Sequence, residues 1–349
     1  MTGIIKNGHD APDTDFLANR LTIASYFART HLENGLSLGA SEQQILRSTG
    51  LTPAQLAHPK ARILASQLTD IVRNCWHFSA DELLGFTQQK LRLGMFKLLA
   101  EHLITCKTLA DVIEYMTRFY ALSGNQFRVC TLRQGSLVTL VLAPDFNEHR
   151  PKPITKTLLI ELLLLICHRF CSWLVGQVIP LTKVCLDYAK PDHHHEYRLM
   201  FPSPCEFNSR HNALVFEAQH LDLSVVRNAD DLSGYLKEIP LQWFKKPSFY
   251  GPWTAKVMGL LEAESDIESM AEQLNITSRT LRRKLTKEGS SFQELKDQFR
   301  RDTAINLFEQ RKMTIAEIGL KVGFTEVSTF SRAFKQWTGV SPSTYRKHK

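Results

Sequence analysis

The sequence predicts an α+β N-terminal domain followed by an all-α C-terminal domain with two helix-turn-helix motifs joined by a connecting helix. Three observations support this reading. One apolar pattern occurs twice in the last hundred residues. Upstream of it, helical spacing gives way after Gly124 to short β-rich runs. Charge is also unevenly shared: residues 251–349 hold 17 Lys+Arg against 12 Asp+Glu, whereas the first 250 residues hold 26 against 23. The basic excess therefore concentrates where the repeat lies, as a surface facing phosphates requires.

The first copy of the repeat reads Ile267, Met270, Ala271, Leu274, Asn275, Ile276, then Leu281 and Leu285. The second reads Ile315, Ile318, Gly319, Val322, Gly323, Phe324, then Phe330 and Phe334. Corresponding positions are 48 residues apart up to Ile276 and 49 apart in the helix that follows. Spacing of i, i+3, i+4 and i+7 puts the apolar residues on one helical face, with a small residue where a second helix can cross closely. Asn275 and Gly323 both tolerate positive φ and suit the turn. An apolar residue plugs the corner, and the second helix is expected behind a hydroxyl cap, Thr277 or Thr325. A single such pattern is commonly an ordinary αα-hairpin. Two copies with cationic second helices point instead to motifs whose second helix enters the DNA major groove.

The remaining elements follow in order. The N-terminus is polar (Asn7, Asp10, Pro12, Asp13), which predicts no signal peptide. Ile45, Leu46, Leu51 and Leu56 suggest a short helix and a turn closed by Pro53. Ile63, Leu64, Leu68, Ile71, Val72 and Cys75 follow helical spacing. Phe96 to Leu103 and Leu109 to Tyr120 read as two helices, the second capped by Thr108. Phe127–Leu132 and Leu137–Leu142, joined across residues 133–136, read as a hairpin. A long helix spans about Ile154 to Val175, and Val184–Tyr188 and Ala213–Phe216 add strands. Irregular alternation of helix and strand favours α+β over a doubly wound parallel sheet. A polar stretch from Asp222 to about Asp231 leads towards a linker marked by Pro247 and Gly251-Pro252. The division is thus an effector-sensing or dimerisation domain over residues 1–245 and a DNA-binding domain over 250–349, with motifs at about 266–287 and 314–337.

Several chemistries are excluded. The seven cysteines are odd in number, contain no C-x-x-C pair and lie mostly among apolar neighbours, as expected of buried thiols in a reducing cytosol. Cys167 and Cys171 with His168 could bind metal or form a redox pair, but packing is the simpler reading. His193-His194-His195 lacks the spacing of a metal site and reads as a loop or strand edge. The apolar run Leu158–Cys167 contains Glu161 and meets His168 and Arg169, so it falls short of the ~20 apolar residues of a membrane span and reads as a core helix. No Gly-rich phosphate loop or G-x-S-x-G elbow is present. The chain is expected to be no enzyme and to need no cofactor or metal.

From Ile315 to Gly319, through Val322-Gly323-Phe324, Ser328 to Lys335, Trp337-Thr338-Gly339, Ser341-Pro342 and Tyr345-Arg346, the tail resembles the AraC/XylS family of bacterial transcription regulators. Residues 267–285 match the same family more loosely at the right separation. Phe201-Pro202 through Phe207-Asn208, with Asn212, Leu214, Phe216 and Leu221-Asp222, resembles the arabinose-binding-like effector domain of one branch. Gly319 stands where the family often has alanine, and Thr325-Glu326 replaces a Ser/Asp-rich cap. The resemblance implies two recognition helices, Ser278–Lys287 and Glu326–Gln336, entering successive major-groove turns roughly 34 Å apart.

In the first helix, Leu281 and Leu285 mark the buried side, so Arg279, Thr280, Arg282, Arg283 and Lys284 are candidate DNA contacts. Arg279 and Arg282 suit base readout, because a guanidinium can pair with guanine O6 and N7. Arg283 and Lys284 suit phosphates. In the second helix Ser328, Thr329 and Arg332 lie opposite Phe330 and Phe334, and Lys335 suits the backbone. Phe292, Leu295, Phe299 and Leu307 place a connecting helix whose rigidity sets the spacing of the motifs. The expected function is a cytoplasmic, nucleoid-associated, sequence-specific regulator, an activator responding to a small molecule. The expected partners are double-stranded DNA, RNA polymerase, an effector and a second copy of the chain, with no membrane. A repressor, a ligand-independent regulator, an enzyme fused to a DNA-binding tail and a structural nucleoid protein are the alternatives.

Overall fold

The computed structural model describes residues 22–57, 61–124, 127–146, 153–201, 203–244, 252–288, 290–310 and 312–347. The polar N-terminal stretch and the linker positions Pro247 and Gly251 lie outside the described residues. The chain divides into two compact units, one of residues 23–250 and one of residues 251–346.

The first unit is α+β, as the irregular alternation predicts. Its sheet runs in the order β3-β4-β7-β5-β6, built from β3 (Phe127–Gln134), β4 (Leu137–Pro144), β5 (Leu181–Cys185), β6 (Cys205–Glu206) and β7 (Ala213–Glu217). Pairing is antiparallel except between β5 and β6. A two-stranded pair, β1 (Thr22–Ala24) with β2 (Arg62–Leu64), lies apart from it. The helices are α1 (Ser25–Ser37), α2 (Glu42–Ile45), α3 (Pro53–Leu56), α4 (Ala65–Ser79), α5 (Met95–Leu103), α6 (Leu109–Leu122), α7 (Pro153–Leu174), α8 (Tyr197–Met200), α9 (Ala229–Glu238) and α10 (Leu241–Phe244). Thr108 caps α6 as expected, its hydroxyl accepting from Asp111 N–H at 3.3 Å.

Four local expectations are corrected. Pro53 opens α3 instead of closing a turn, because a proline at the first helical position forfeits no hydrogen bond. Ile63 and Leu64 belong to β2 and only the residues after them to α4; a three-residue strand fused to a helix leaves no periodicity of its own. The hairpin is tighter than expected: Gln134 pairs with Leu137, so only Gly135 (φ 59°) and Ser136 turn. The strand expected at 184–188 sits at Leu181–Cys185. The polar stretch after Asp222 runs into a further helix of the first unit. Asn228 accepts from Asp230 N–H and Asp231 N–H and starts α9, whose Leu232 and Tyr235 join the core.

Helix α7 is the spine of this unit. Its Lys156–Leu174 segment, 19 residues of mean hydropathy 1.7, is long and apolar enough to cross a membrane by length and composition. The helix has the length expected of it, but its apolar stretch is longer than the run Leu158–Cys167, because it continues past His168 and Arg169. Glu161, His168 and Arg169 are buried inside the unit with partners, and 78% of the segment is buried there, as a core helix requires. His168 Nε2 meets the Ile179 carbonyl at 2.8 Å, and burial pushes its pKa down to about 4. Arg169 donates to the Trp243 carbonyl.

Glu161 is fully buried and accepts from His193 Nε2 and Tyr197 Oη, each at 2.5 Å. The His193 ring stacks on Tyr26 at 3.6 Å, and Tyr188 and Tyr197 share a hydroxyl contact of 2.9 Å. Beside them Arg62 and Glu196 form a buried ion pair at 2.7 Å. Of the two readings of the histidine triplet, loop and strand edge, the structure has the first: His194–Glu196 is a short 3-10 turn, and the His193 before it is buried. Buried carboxylates need such partners, since an unpaired interior charge costs several kcal/mol (on the order of 3–5). Cys167 and Cys171 are free, buried thiols, and no metal-binding group of His, Cys, Asp or Glu occurs among the described residues.

The second unit is all helical, with α11 (Pro252–Leu260), α12 (Ile267–Gln273), α13 (Ser278–Lys287), α14 (Phe292–Gln310), α15 (Ile315–Lys321), α16 (Val327–Thr338) and α17 (Pro342–Lys347). One core gathers Val257, Leu261, Met270, Ala271, Leu281, Leu285 and Leu295 around the first motif. In the second motif Ile318, Val322, Phe330 and Phe334 are all fully buried, with the rings of Phe308 and Tyr345 against Phe334. Leu295 lies in the first of these clusters and Phe308 in the second, so one helix, α14, contributes to both.

Candidate nucleic-acid interface

Each motif is built from its caps inward. Asp266 starts α12 by accepting from Ser269 N–H at 2.8 Å, and this backbone donation holds its carboxyl below the usual range. Thr314 and Glu317 form a reciprocal capping box on α15, which lowers the Glu317 pKa for the same reason. The turns have the geometry that the residue types predict: Asn275 has φ 54° and Gly323 has φ 82°. Glycine is needed at Gly323 on a second ground. A Cβ there would lie 2.6 Å from the Ala263 carbonyl oxygen and 2.9 Å from Arg300 Nη2.

The second helices of the two motifs start differently. Thr277 caps α13, accepting from Thr280 N–H at 3.2 Å. Thr325 does not cap α16; Glu326 occupies that position, and the helix is Val327–Thr338, not Glu326–Gln336. The change of repeat offset from 48 to 49 explains the correction. One extra residue enters between the corner plug and the cap, and Thr325 is that residue. Glu326 makes no side-chain bond to the helix backbone, but its carboxylate accepts the Ser328 hydroxyl at 3.2 Å and the Thr329 hydroxyl at 3.5 Å.

On α13, Leu281 and Leu285 are fully buried and Arg279, Arg282 and Arg283 are exposed. Arg282 Nη2 lies 3.4 Å from Glu268 Oε1, with both side chains more than half exposed. Thr280 is half-buried and its hydroxyl meets that of Thr277 at 2.9 Å, which draws it into the cap. The Lys284 ammonium sits 4.0 Å from the centre of the Trp253 ring. On α16, Ser328, Thr329, Arg332 and Lys335 are exposed opposite the fully buried Phe330 and Phe334. Residues at i and i+4 share a face, so the exposed cations of each helix form a stripe away from its core.

Sequence reasoning missed the brace behind α13. Glu288, at its C-terminal cap, accepts from Trp253 N–H at 3.0 Å, Thr254 N–H at 2.8 Å and the Thr254 hydroxyl at 2.7 Å. That ties the first turn of α11 to the end of α13. The available signal was Pro252 followed by an aromatic residue, read there as linker. It also missed Arg300 on α14, which donates from Nη2 to the Ala263 carbonyl at 2.9 Å and the Gly323 carbonyl at 3.2 Å.

Comparison with known proteins agrees with this geometry. Residues 39–225 match the arabinose-binding domain of AraC transcription regulators, and residues 270–348 match a helix-turn-helix domain. The ornithine utilization regulator of Pseudomonas aeruginosa is 21% identical, over 95% of this chain and 98% of its own length. An HTH-type transcriptional regulator of Mycobacterium tuberculosis is 24% identical, over 92% of this chain and 95% of its own. Among solved structures, the transcriptional regulator CdpR of Pseudomonas aeruginosa is 19% identical, covers 92% of this chain and 98% of its own, and has a TM-score of 0.33. The chain belongs to the AraC family of helix-turn-helix transcriptional regulators. It is a DNA-binding regulator of transcription.

Proposed function

We propose that α13 and α16 read two successive major-groove segments of one duplex face, and that residues 1–245 sense a small molecule, pair two copies of the chain, or do both. Residues 250–349 are the DNA-binding part in this reading. A single observation carries it: each helix buries its apolar residues and turns the candidate side chains outward, Arg279, Arg282 and Arg283 on α13 and Ser328, Thr329, Arg332 and Lys335 on α16. Arg279 and Arg282 take base edges; Arg282 can exchange its exposed contact with Glu268 for a guanine, since exposed pairs of this kind are worth only about 0–1 kcal/mol. Arg283 and Lys335 take phosphates. Lys284 contributes positive field from its place on Trp253, and Thr280 sets the start of the helix. Ser328, Thr329 and Arg332 read the second segment, with Glu326 orienting the two hydroxyls. The name of the Pseudomonas relative, a regulator of ornithine utilization, supports a metabolite as effector. Activation through RNA polymerase in the cytoplasm completes the reading.

Arg282→Ala tests it. A site is first enriched from random duplex DNA with the full-length protein. The variant is then expected to lose about 1–3 kcal/mol on that site and to relax discrimination at one or two base pairs. Equal weakening on the enriched and a scrambled duplex would reassign Arg282 to phosphate contact. Failure of the wild type to enrich any site with two separated conserved segments would remove the paired-helix reading.

A further inference from the structure

Among the described residues, the apolar cluster around the first motif contains no residue of the second, and polar contacts link the two. Arg300 lies in the middle of α14, half-buried. One of its terminal nitrogens, Nη2, bonds at once to the carbonyl of Ala263, in the segment that enters α12, and to the carbonyl of Gly323, in the turn between α15 and α16. Its guanidinium also lies 5.0 Å from the centre of the Phe324 ring, the plug at the corner of the second motif. One turn earlier on the same helix, Lys296 Nζ bonds to the Ser265 carbonyl at 2.5 Å, next to the Asp266 that caps α12. The Gly323 backbone approaches the Ala263 carbonyl so closely that a Cβ would not fit between them. The entry to the first motif and the turn of the second thus converge on one side chain. Carbonyls are the part of a turn that reports its position most directly, since they move with the backbone.

We propose that Arg300 is the positioning residue that sets which separation of the two DNA segments the protein accepts. It touches no base in this scheme. It locks the turn of the second motif to the entry of the first, so that α13 and α16 present their stripes at one fixed offset. A planar guanidinium shared between two carbonyls holds both, whereas a lysine ammonium on its flexible stem is a point charge without that fork geometry. This inference rests on the paired-helix reading above.

The test uses the full-length protein and the duplex enriched by it, with the spacer between the two conserved segments lengthened or shortened by one base pair. One base pair displaces the second segment by about 3.4 Å and rotates it by about 35°. Wild type is expected to lose about tenfold or more in affinity on either altered spacer. Arg300→Ala is expected to lose about threefold or less on the same change, and Arg300→Lys to fall between them. All three proteins should keep their preference for each conserved segment, because the reading side chains are untouched. If both variants keep the wild-type spacing profile, Arg300 does not set the separation and the proposal fails while the paired-helix reading stands. If both variants lose the melting transition of α12–α16, followed by hydrogen exchange, Arg300 is a folding residue and the proposal also fails. If wild type enriches no two-segment site, both readings fall together.

Discussion

The two helix-turn-helix copies solve the same packing problem with different side chains, and the differences compensate within each copy. In the first, Ala271 on α12 faces a core of leucines, Leu281 and Leu285 on α13. In the second, Gly319 replaces alanine and Phe330 and Phe334 replace leucine. A Cβ at Gly319 would sit 3.2 Å from two carbons of the Phe330 ring, so the smaller residue on one helix makes room for the larger one on its partner. The methyl missing from one helix leaves room for a larger ring on its partner, as dense interior packing demands. The turn and the cap diverge in the same way. Asn275 is replaced by a glycine that also admits the backbone of Ala263, and the hydroxyl cap is replaced by Glu326. The duplication therefore preserves geometry rather than residues.

The largest test of this comparison lies in the aromatic core. Phe334 is fully buried against Phe308, Phe330 and Tyr345. Phe334→Ala should cost about 3–5 kcal/mol and loosen α15 and α16, read as lost hydrogen-exchange protection over residues 315–338 of the full chain. Leu285→Ala, its counterpart, should cost about 2–5 kcal/mol and loosen the first motif instead. Arg332→Ala should leave protection unchanged and weaken DNA binding alone. Exchange of the effects of Phe334→Ala and Arg332→Ala would mean that α16 faces the other way.

The turns come next. Gly323→Ala meets positive φ, which costs a side chain roughly 1–2 kcal/mol, and a backbone oxygen besides, so a loss above about 2 kcal/mol is expected. Asn275→Gly keeps the same left-handed turn and should change stability by less than about 0.5 kcal/mol. Equal costs at the two turns would show that the close approach at Ala263 carries no weight. The smallest contrast is in the caps. Thr277→Ala should cost about 1 kcal/mol, while Thr325→Ala, one residue before the cap of α16, should stay within about 0.5 kcal/mol. Melting curves of the two variants decide it. A larger loss for Thr325→Ala would restore the hydroxyl cap expected from the sequence.

The second unit was legible because its signals are periodic and occur twice. Ile267 to Leu285 and Ile315 to Phe334 each state the buried face, and the faces of Arg279, Arg282 and Arg332 follow by subtraction. The extra residue at Thr325 was visible as the shifted offset, yet its meaning appeared only when Glu326 stood at the cap. The first unit was legible at the level of class and of helices α5 to α7, whereas the 13-residue α1 went unread. It was misread where short elements fuse, as at Ile63-Leu64, and where interior partners neutralise polar residues. No local pattern states that Glu161 will meet His193 and Tyr197 from 32 and 36 positions away. Nor does any local pattern state that Arg300 will reach carbonyls 37 residues before it and 23 after it. Such contacts belong to tertiary structure alone.

The connecting helix α14 has 19 residues and runs without interruption from Phe292 to Gln310. At about 1.5 Å per residue it is a ruler of about 28 Å, with apolar marks for the first motif near one end and for the second near the other. Adding one residue between Leu295 and Phe308 would lengthen that ruler by about 1.5 Å and twist its far end by about 100°. Both motifs could still fold, but their stripes would point in different directions. Insertions and deletions should thus be tolerated in the exposed loops of the first unit and purged from this helix. Descendants of this chain can then drift at the exposed positions of α14, away from Leu295, Arg300 and Phe308, while remaining fixed in its length.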